Sequence, residues 1–133
     1  MPKQMTVTDA RALQDQGAIY VDVRSQTEFE AGHPTNAVNV PLLDRDPRSG
    51  MMAPNPDFVE VMKANFAPDT TLLLGCQMGG RSNRAAQILE TFGFTNLTNV
   101  IAGYGGWLQH GLPIETEAQG RSYADMAKKA GLE

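Results

Sequence analysis

Short apolar segments alternate with helical segments along this chain, and that alternation restricts the folds open to it. The apolar segments are typical of buried strands because each is short and bounded by glycine, proline or polar residues; they cover 18–23, 37–41, 70–75 and 97–102. Parallel neighbours in a sheet require a crossover connection, which is usually a helix. The order of segments therefore predicts an α/β protein in which a central, mainly parallel sheet lies between two layers of helices.

Capping and stop signals bound the helices between these strands. A capping box at Ser25–Glu28 opens a short helix that ends near Gly32. The segment 43–55 contains two prolines and a glycine and is expected to be the loosest part of the chain. The other predicted helices cover 9–16 after a Thr8 cap, 56–66 after an Asn55 cap, 82–91 from Ser82, a short segment ending at Gly111, and 120–133.

The composition limits the classes of function. A chain of 133 residues suits one domain with one core, and the net charge of −4 disfavours a basic surface for nucleic acid. The single cysteine excludes a disulfide framework and a cysteine-rich zinc site, and His33 and His110 add no metal-ligand cluster. The N-terminus lacks a signal peptide and no apolar run is long enough to span a membrane, so we expect a soluble, cytoplasmic protein.

The single cysteine, Cys76, lies where a reactive thiol is expected. It follows the apolar strand 70–75 and is followed by Gly79, Gly80 and Arg81 at the start of a helix. The glycines allow a tight loop with open backbone N–H groups, and the helix N-terminus and Arg81 add positive charge. A lone cysteine is otherwise more often a small buried apolar residue. The neighbouring residues favour a nucleophilic thiol with a lowered pKa instead.

Several motifs occur together in the order and at the spacing of one family. The chain resembles the rhodanese family of single-domain sulfurtransferases over about 6–117, and the segment 118–133 is expected to be a C-terminal helical extension outside that domain. The motifs that carry the resemblance are Val21-Asp22-Val23-Arg24, Glu28-Phe29, Ala31-Gly32-His33, Ala37-Val38-Asn39-Val40-Pro41, the Cys76 loop, Gly105-Gly106-Trp107 and Gly111-Leu112-Pro113-Ile114. One motif departs from the family, because His33-Pro34-Thr35-Asn36-Ala37 replaces His-Ile-Pro-Gly-Ala.

The resemblance implies a rhodanese-like three-layer α/β/α fold and transfer of sulfane sulfur. A rhodanese cysteine takes the outer sulfur of thiosulfate or a similar donor as a persulfide and passes it to cyanide or a thiol. Carried over to this chain, Cys76 is the nucleophile, no cofactor or metal is required, and a protein thiol is a further candidate acceptor. The residues expected to bind the sulfur and its donor are Gln77, Met78, Gly79, Gly80, Arg81 and Ser82.

Charged residues near the loop have competing interpretations. Arg81 either binds the donor anion and steadies the thiolate or is a solvent-facing residue at a helix start. Asp22 and Arg24 are expected to support the loop, with the Asp22 carboxylate accepting hydrogen bonds, and Arg24 is placed to pair with Glu28. His33 is expected to be structural rather than a catalytic base.

Two other functions remain open. Phosphatases and arsenate reductases on this fold use a loop one residue longer between cysteine and arginine, and the position that would hold their arginine is Ser82 here. The second alternative is a persulfide carrier or a regulatory interaction module. Met51, Met52 and Met78 are candidates for an apolar mouth that would receive a thiol or a protein acceptor.

Overall fold

A parallel sheet forms the centre of the fold in the computed structural model, which describes residues 2–132. Its five strands pair in the order β1-β8-β7-β2-β4, and every pairing is parallel. The strands in chain order are β1 (Lys3–Met5), β2 (Ile19–Asp22), β3 (His33–Pro34), β4 (Val38–Asn39), β5 (Leu43–Arg45), β6 (Met52–Pro54), β7 (Leu72–Gly75), β8 (Leu97–Val100) and β9 (Ile114–Glu115).

Helices cover both faces of this sheet. They are α1 (Val7–Asp15), α2 (Gln26–Ala31), α3 (Phe58–Asn65), α4 (Gly80–Thr91), α5 (Gly103–Gln109) and α6 (Tyr123–Lys129). The predicted α/β architecture with a mainly parallel sheet is therefore confirmed.

The pleat of β7 separates two cores. Successive side chains of a strand point to opposite faces. Leu72, Leu74 and Cys76 pack into one cluster, which also contains residues of α3, α4 and α6. Leu73 packs into the other cluster with Trp107 of α5. The Cys76 side chain thus belongs to the α3–α4 face of the sheet.

Several helix starts differ from the prediction because of local hydrogen bonds. Thr6, rather than Thr8, caps α1 by accepting from the Asp9 N–H. Asn55 does not cap α3, because its side chain accepts from the Asp57 N–H and makes a turn before the helix begins. Helix α4 begins earlier than predicted, since Gly79 is its N-cap in the left-handed conformation.

Two further features, the edge strand β1 and a separate two-stranded sheet, were not predicted. Strand β1 joins the parallel sheet beside β8, although its residues are polar or half-exposed. Strands β5 and β6 form an antiparallel hairpin within the segment expected to be the loosest. Their pairing partners supply the backbone hydrogen bonds, so these strands form without the apolar pattern that would have predicted them.

The C-terminal helix packs on its own domain. Met126 is 3% exposed and belongs to the core cluster of α3 and α4. Asn65 at the end of α3 donates a hydrogen bond to the Met126 carbonyl at 3.0 Å, and Asn55 donates to the Tyr123 hydroxyl at 3.0 Å. The predicted helix 120–133 is thus shorter than expected, and position 133 lies outside the described residues.

Candidate active site

The Cys76 loop connects the carboxyl end of β7 to the first turn of α4. Gly75 precedes it with no space for a side chain, because the Tyr20 hydroxyl occupies the position of a Cβ. Gly79 has φ +105°, a conformation that glycine adopts without strain. The chain therefore turns sharply after Cys76 and enters the helix within a few residues.

The first turn of α5 orients the peptide groups of this loop. The Tyr104 N–H donates to the Cys76 carbonyl at 2.7 Å, and the Gly105 N–H donates to the Gln77 carbonyl at 3.1 Å. Gly103 lies against the Cys76 carbonyl so closely that a Cβ would overlap it. These two bonds to α5 hold the peptide groups of Cys76 and Gln77 in place at the start of the loop.

Hydrogen bonds to the Cys76 sulfur favour its thiolate. The Gly79 N–H lies 3.0 Å from Sγ and the Ser82 hydroxyl 3.4 Å from it, while the residue is only 2% exposed. Burial raises the pKa of the thiol, but hydrogen bonds from the Ser82 hydroxyl and from the N–H groups of Ser82, Gly79 and Met78 outweigh it and lower the pKa below its ordinary value. The site thus favours the anionic form of the sulfur without a neighbouring base.

Ser82 contacts the sulfur from inside α4. The sequence had suggested that Ser82 caps this helix, but Gly79 is the N-cap. Its hydroxyl also lies 2.6 Å from Asn99 Oδ1, and Asn99 donates to Gln4 Oε1 at 2.8 Å. Gln4 in turn donates to Asn83 Oδ1 at 2.8 Å. This amide chain holds the Ser82 oxygen beside Cys76, and its one hydroxyl hydrogen is shared between Asn99 Oδ1, the Gly79 carbonyl at 3.2 Å and the sulfur.

Sequence reasoning missed Asn99 and Gln4. The available signal was Asn99 itself, a polar residue in the apolar segment 97–102, because a polar side chain in a central strand requires a hydrogen-bond partner.

Arg81 forms an ion pair with α2. Its guanidinium nitrogens lie 2.7 and 3.0 Å from the two Glu28 carboxylate oxygens. This bidentate contact from Arg81 lowers the Glu28 pKa to about 2. The predicted pairing of Glu28 with Arg24 is therefore wrong. Arg81 is half-buried rather than a free residue on the surface.

Asp22 and Arg24 form a buried pair behind the loop. Arg24 Nη2 lies 2.7 Å from Asp22 Oδ2, and both side chains are at most 3% exposed. The guanidinium also stacks on Tyr104 at 4.2 Å, donates to the Gly32 carbonyl and reaches Gln77 Oε1 at 3.5 Å. Through Tyr104 and Gln77 this pair contacts the elements that hold the Cys76 loop. The carboxylate accepts hydrogen bonds as the sequence suggested.

Other residues singled out in the sequence lie apart from the thiol. His33 is fully buried, stacks on Phe29 and bonds to the Phe29 carbonyl at 2.7 Å, as a structural histidine does. Met78 extends from the loop toward Gly105, whereas Met51 and Met52 belong to the β5–β6 hairpin region. No described contact joins the three methionines into one mouth.

A pocket of about 470 Å³, which we call the α4 pocket, lies beside the loop. Its wall is largely apolar and comes from the β5–β6 hairpin, α3 and α4, with two arginines on α4. The residues that line it are Leu42, Leu43, Pro54, Asn55, Pro56, Phe58, Val59, Gly80, Arg81, Arg84 and Ile88.

No helix within residues 2–132 combines the length and apolar character needed to cross a membrane.

Comparison with known proteins places this arrangement in a family. The family model of the rhodanese-like domain matches residues 6–110. Thiosulfate sulfurtransferase 16, chloroplastic, from Arabidopsis thaliana is 41% identical over 86% of this chain and 94% of its own length. Thiosulfate sulfurtransferase GlpE from Haemophilus influenzae (strain PittEE) is 30% identical over 86% of this chain and 95% of its own length.

Solved structures agree on the fold. The crystal structure of Rv0390 from M. tuberculosis superposes with a TM-score of 0.72 at 24% identity, covering 86% of this chain and 98% of that one. A rhodanese-like domain of the Anabaena sp. protein Alr3790, solved by NMR, superposes with a TM-score of 0.71 at 18% identity. The match covers 91% of this chain and 84% of that one. With the motifs, the parallel sheet and the cysteine loop, these matches show that the chain belongs to the rhodanese-like domain family.

Proposed function

We propose that this protein transfers sulfane sulfur from thiosulfate or a similar donor to cyanide or a thiol through a persulfide on Cys76. The observation that carries the proposal is the Sγ atom of Cys76, which accepts a hydrogen bond from the Gly79 N–H at 3.0 Å and has a lowered pKa. Relatives named thiosulfate sulfurtransferase support the same activity.

The first half-reaction requires a thiolate and an anion site, and the loop supplies both. The Cys76 thiolate attacks the outer sulfur of thiosulfate, a new S–S bond forms at Sγ, and the original S–S bond breaks. The electron pair of the broken bond leaves with sulfite. N–H groups of the loop stabilise the anionic outer sulfur of the resulting persulfide, which needs no proton from an acid.

The second half-reaction returns the enzyme to its thiolate. Cyanide, or a thiolate, attacks the outer sulfur of the persulfide and forms a C–S or S–S bond. The persulfide bond breaks and its electron pair returns to Cys76 Sγ. Because the same hydrogen bonds stabilise Sγ as a leaving group, the lowered pKa favours this step as well.

In this mechanism the surrounding residues position groups rather than exchange protons. The Ser82 hydroxyl lies 3.4 Å from the sulfur and shares its hydrogen with it, and the Asp22–Arg24 pair supports the loop through Gln77 and Tyr104. Arg81, held by Glu28, contributes positive charge at the loop for the donor and for sulfite.

Initial-rate kinetics of thiocyanate formation from thiosulfate and cyanide test the proposal. We expect double-displacement kinetics for the native protein and no activity for Cys76→Ser, with matching thermal unfolding of the two proteins. Retained activity in Cys76→Ser would overturn the mechanism. Hydrolysis of an aryl phosphate, with no thiocyanate formed, would assign the site to the phosphatase class instead.

We also infer partners and location. The partners are a small sulfur donor and a thiol or cyanide acceptor, a protein thiol included. The cytoplasmic location stays a prediction, and two relatives from Arabidopsis thaliana carry the word chloroplastic in their names.

A further inference from the structure

Asn99 reaches the active site from β8, the strand beside β7. It pairs in register with Leu74, two residues before Cys76, and it is only 4% exposed. Because partners in register on neighbouring parallel strands point to the same face of the sheet, the Asn99 side chain lies on the face of Leu74 and Cys76, beside α4. The sulfur-transfer steps described above give this buried amide no task, so its presence next to the thiol requires a reason of its own.

Hydrogen bonds that begin at the protein surface fix the orientation of the Asn99 amide. Its nitrogen donates to Gln4 Oε1 at 2.8 Å, and the Gln4 nitrogen donates to Asn83 Oδ1 at 2.8 Å. The oxygen of Asn99 therefore faces the Ser82 hydroxyl, which lies 2.6 Å away. Since an amide oxygen only accepts hydrogen bonds, the hydrogen between these two oxygens belongs to Ser82.

The single hydrogen of the Ser82 hydroxyl has two strong acceptors to choose between. Asn99 Oδ1 at 2.6 Å is the nearer one, and Cys76 Sγ at 3.4 Å carries the negative charge of the thiolate. The Gly79 carbonyl at 3.2 Å is a weaker third, because it already accepts the Asn83 N–H at 3.1 Å. Hydrogen bonds to an ionised acceptor are about twice as strong as neutral ones, so the thiolate attracts the hydrogen while Asn99 retains it.

We propose that Asn99 is a positioning residue for sulfur transfer: its amide oxygen holds the Ser82 hydroxyl hydrogen while Sγ is neutral in the persulfide, and competes with Sγ for that hydrogen in the thiolate. This inference rests on the proposed persulfide cycle. When Sγ forms its new S–S bond it loses its negative charge, and the hydroxyl points to Asn99. When the persulfide bond breaks, its electron pair returns to Sγ and the hydroxyl turns toward the sulfur. No proton leaves Ser82 in either step.

Competition from Asn99 keeps the thiolate a good nucleophile. A thiolate that receives a stronger hydrogen bond forms at lower pH but attacks more slowly, because intrinsic nucleophilicity falls with the thiol pKa. Loss of Asn99 should therefore change two measurable properties of Cys76 together. The titratable groups that act on Cys76 from the neighbouring elements, Arg81 on α4 and Tyr20 on β2, stay unchanged in the variants that test this.

The rate of alkylation by iodoacetamide, measured against pH, tests the proposal without any sulfur donor, and Cys76 is the only cysteine of the chain. Asn99→Leu fills the place of the amide but accepts no hydrogen bond. We expect its midpoint to fall by about 0.5–1 pH unit and its plateau rate at high pH to fall about two- to threefold. Thr98→Val removes a buried polar group from the other face of β8 and should change neither quantity.

A double-mutant cycle separates this role from mere support of the loop. In a Ser82→Ala background Asn99→Leu should leave the midpoint unchanged, because the hydroxyl through which Asn99 acts is gone. A midpoint that rises or stays the same in Asn99→Leu alone would overturn the proposal, since a loosened loop weakens the hydrogen bonds to Sγ. An equal fall in both backgrounds would also overturn it, because the effect would then bypass Ser82.

Gln4→Ala provides a second variant at an exposed position, with thermal unfolding as the check on the fold of each protein. Without Gln4, the Asn99 amide is free to turn its nitrogen toward Ser82, which releases the hydroxyl hydrogen to Sγ. We expect a smaller fall in the midpoint than in Asn99→Leu, and none in Gln87→Ala on the exposed face of α4. Equal midpoints in Gln4→Ala and Gln87→Ala would overturn the proposal. Absence of sulfur transfer by the native protein would refute the proposed function instead, while the alkylation profiles would still decide the role of Asn99.

Discussion

Glu28→Gln isolates the charge that holds Arg81 at the active-site loop. Glu28 accepts two hydrogen bonds from the Arg81 guanidinium, and it completes the capping box of α2 with Ser25. Glutamine keeps an oxygen for the Ser25 N–H and has nearly the same shape. The substitution therefore removes the negative charge while it retains the cap.

The lowered pKa of Glu28 sets the size of the effect. The hydrogen bond from Arg81 lowers the Glu28 pKa from its ordinary 4.5 to about 2. For a fully buried group this difference would correspond to about 3 kcal/mol of unfolding free energy. The Glu28 side chain is 34% exposed, so solvent screening reduces the expected contribution to about 1 kcal/mol.

The sign of the pH dependence follows from the lowered pKa. Since the folded state holds the Glu28 proton less tightly than the unfolded state, the stabilisation is complete above the unfolded pKa near 4.5 and is lost as the pH falls through about 2. Urea unfolding should show Glu28→Gln to be about 1 kcal/mol less stable than the native protein at pH 7, with the difference shrinking toward pH 2. Glu60→Gln, on an exposed face of α3, should cost little at either pH.

Two results would refute this reasoning. A loss in Glu28→Gln that is the same at pH 7 and near pH 2 would assign the effect to the cap or to packing rather than to charge. Equal stability of Glu28→Gln and Glu60→Gln at pH 7 would show that the ion pair contributes nothing measurable.

Four further substitutions, one of them a control, test other parts of the structure. Ser82→Ala should raise the pH midpoint for alkylation of Cys76, because the thiolate loses a hydrogen-bond donor; an unchanged midpoint would contradict the role of the hydroxyl. Gly103→Ala places a Cβ against the Cys76 carbonyl and should slow sulfur transfer and lower the unfolding free energy by about 1–3 kcal/mol. Gly111→Ala, also at positive φ but with open space around it, should leave transfer intact, and equal losses in both would contradict the packing argument. Met126→Ala should cost about 2–5 kcal/mol in urea unfolding, since α6 buries that side chain, and a cost near zero would show that α6 does not pack as described.

Local patterns were enough to predict the core of the fold. Strands β2 and β7 are short, largely apolar runs buried between the helix layers, and Ser25–Glu28 forms the capping box that the sequence indicated. Strand β1 could not be predicted in this way, because Lys3-Gln4-Met5 has no apolar pattern and is ordered by its pairing with β8. The hairpin in 43–55 was concealed by the prolines and glycine that suggested a loop.

The candidate site shows the same division between local and distant information. The strand–cysteine–glycine–helix order around Cys76 is a local signal, and it pointed to the thiol. The pairing of Arg81 with Glu28 joins residues 53 positions apart, and the contact of Asn99 with Gln4 joins residues 95 apart. Such contacts depend on how the strands and helices are arranged, so spacing rules favoured the nearer but wrong pair of Arg24 and Glu28.

The most direct test of the central claim is the intact mass of the protein before and after exposure to thiosulfate, measured beside Cys76→Ser. We expect the native protein to gain one sulfur atom, the gain to disappear on addition of cyanide, and Cys76→Ser to gain nothing. A gain of sulfur in Cys76→Ser would contradict the account. No gain in the native protein, with Cys76 still alkylated readily, would contradict it equally, because the thiol would then be reactive without accepting sulfur from this donor.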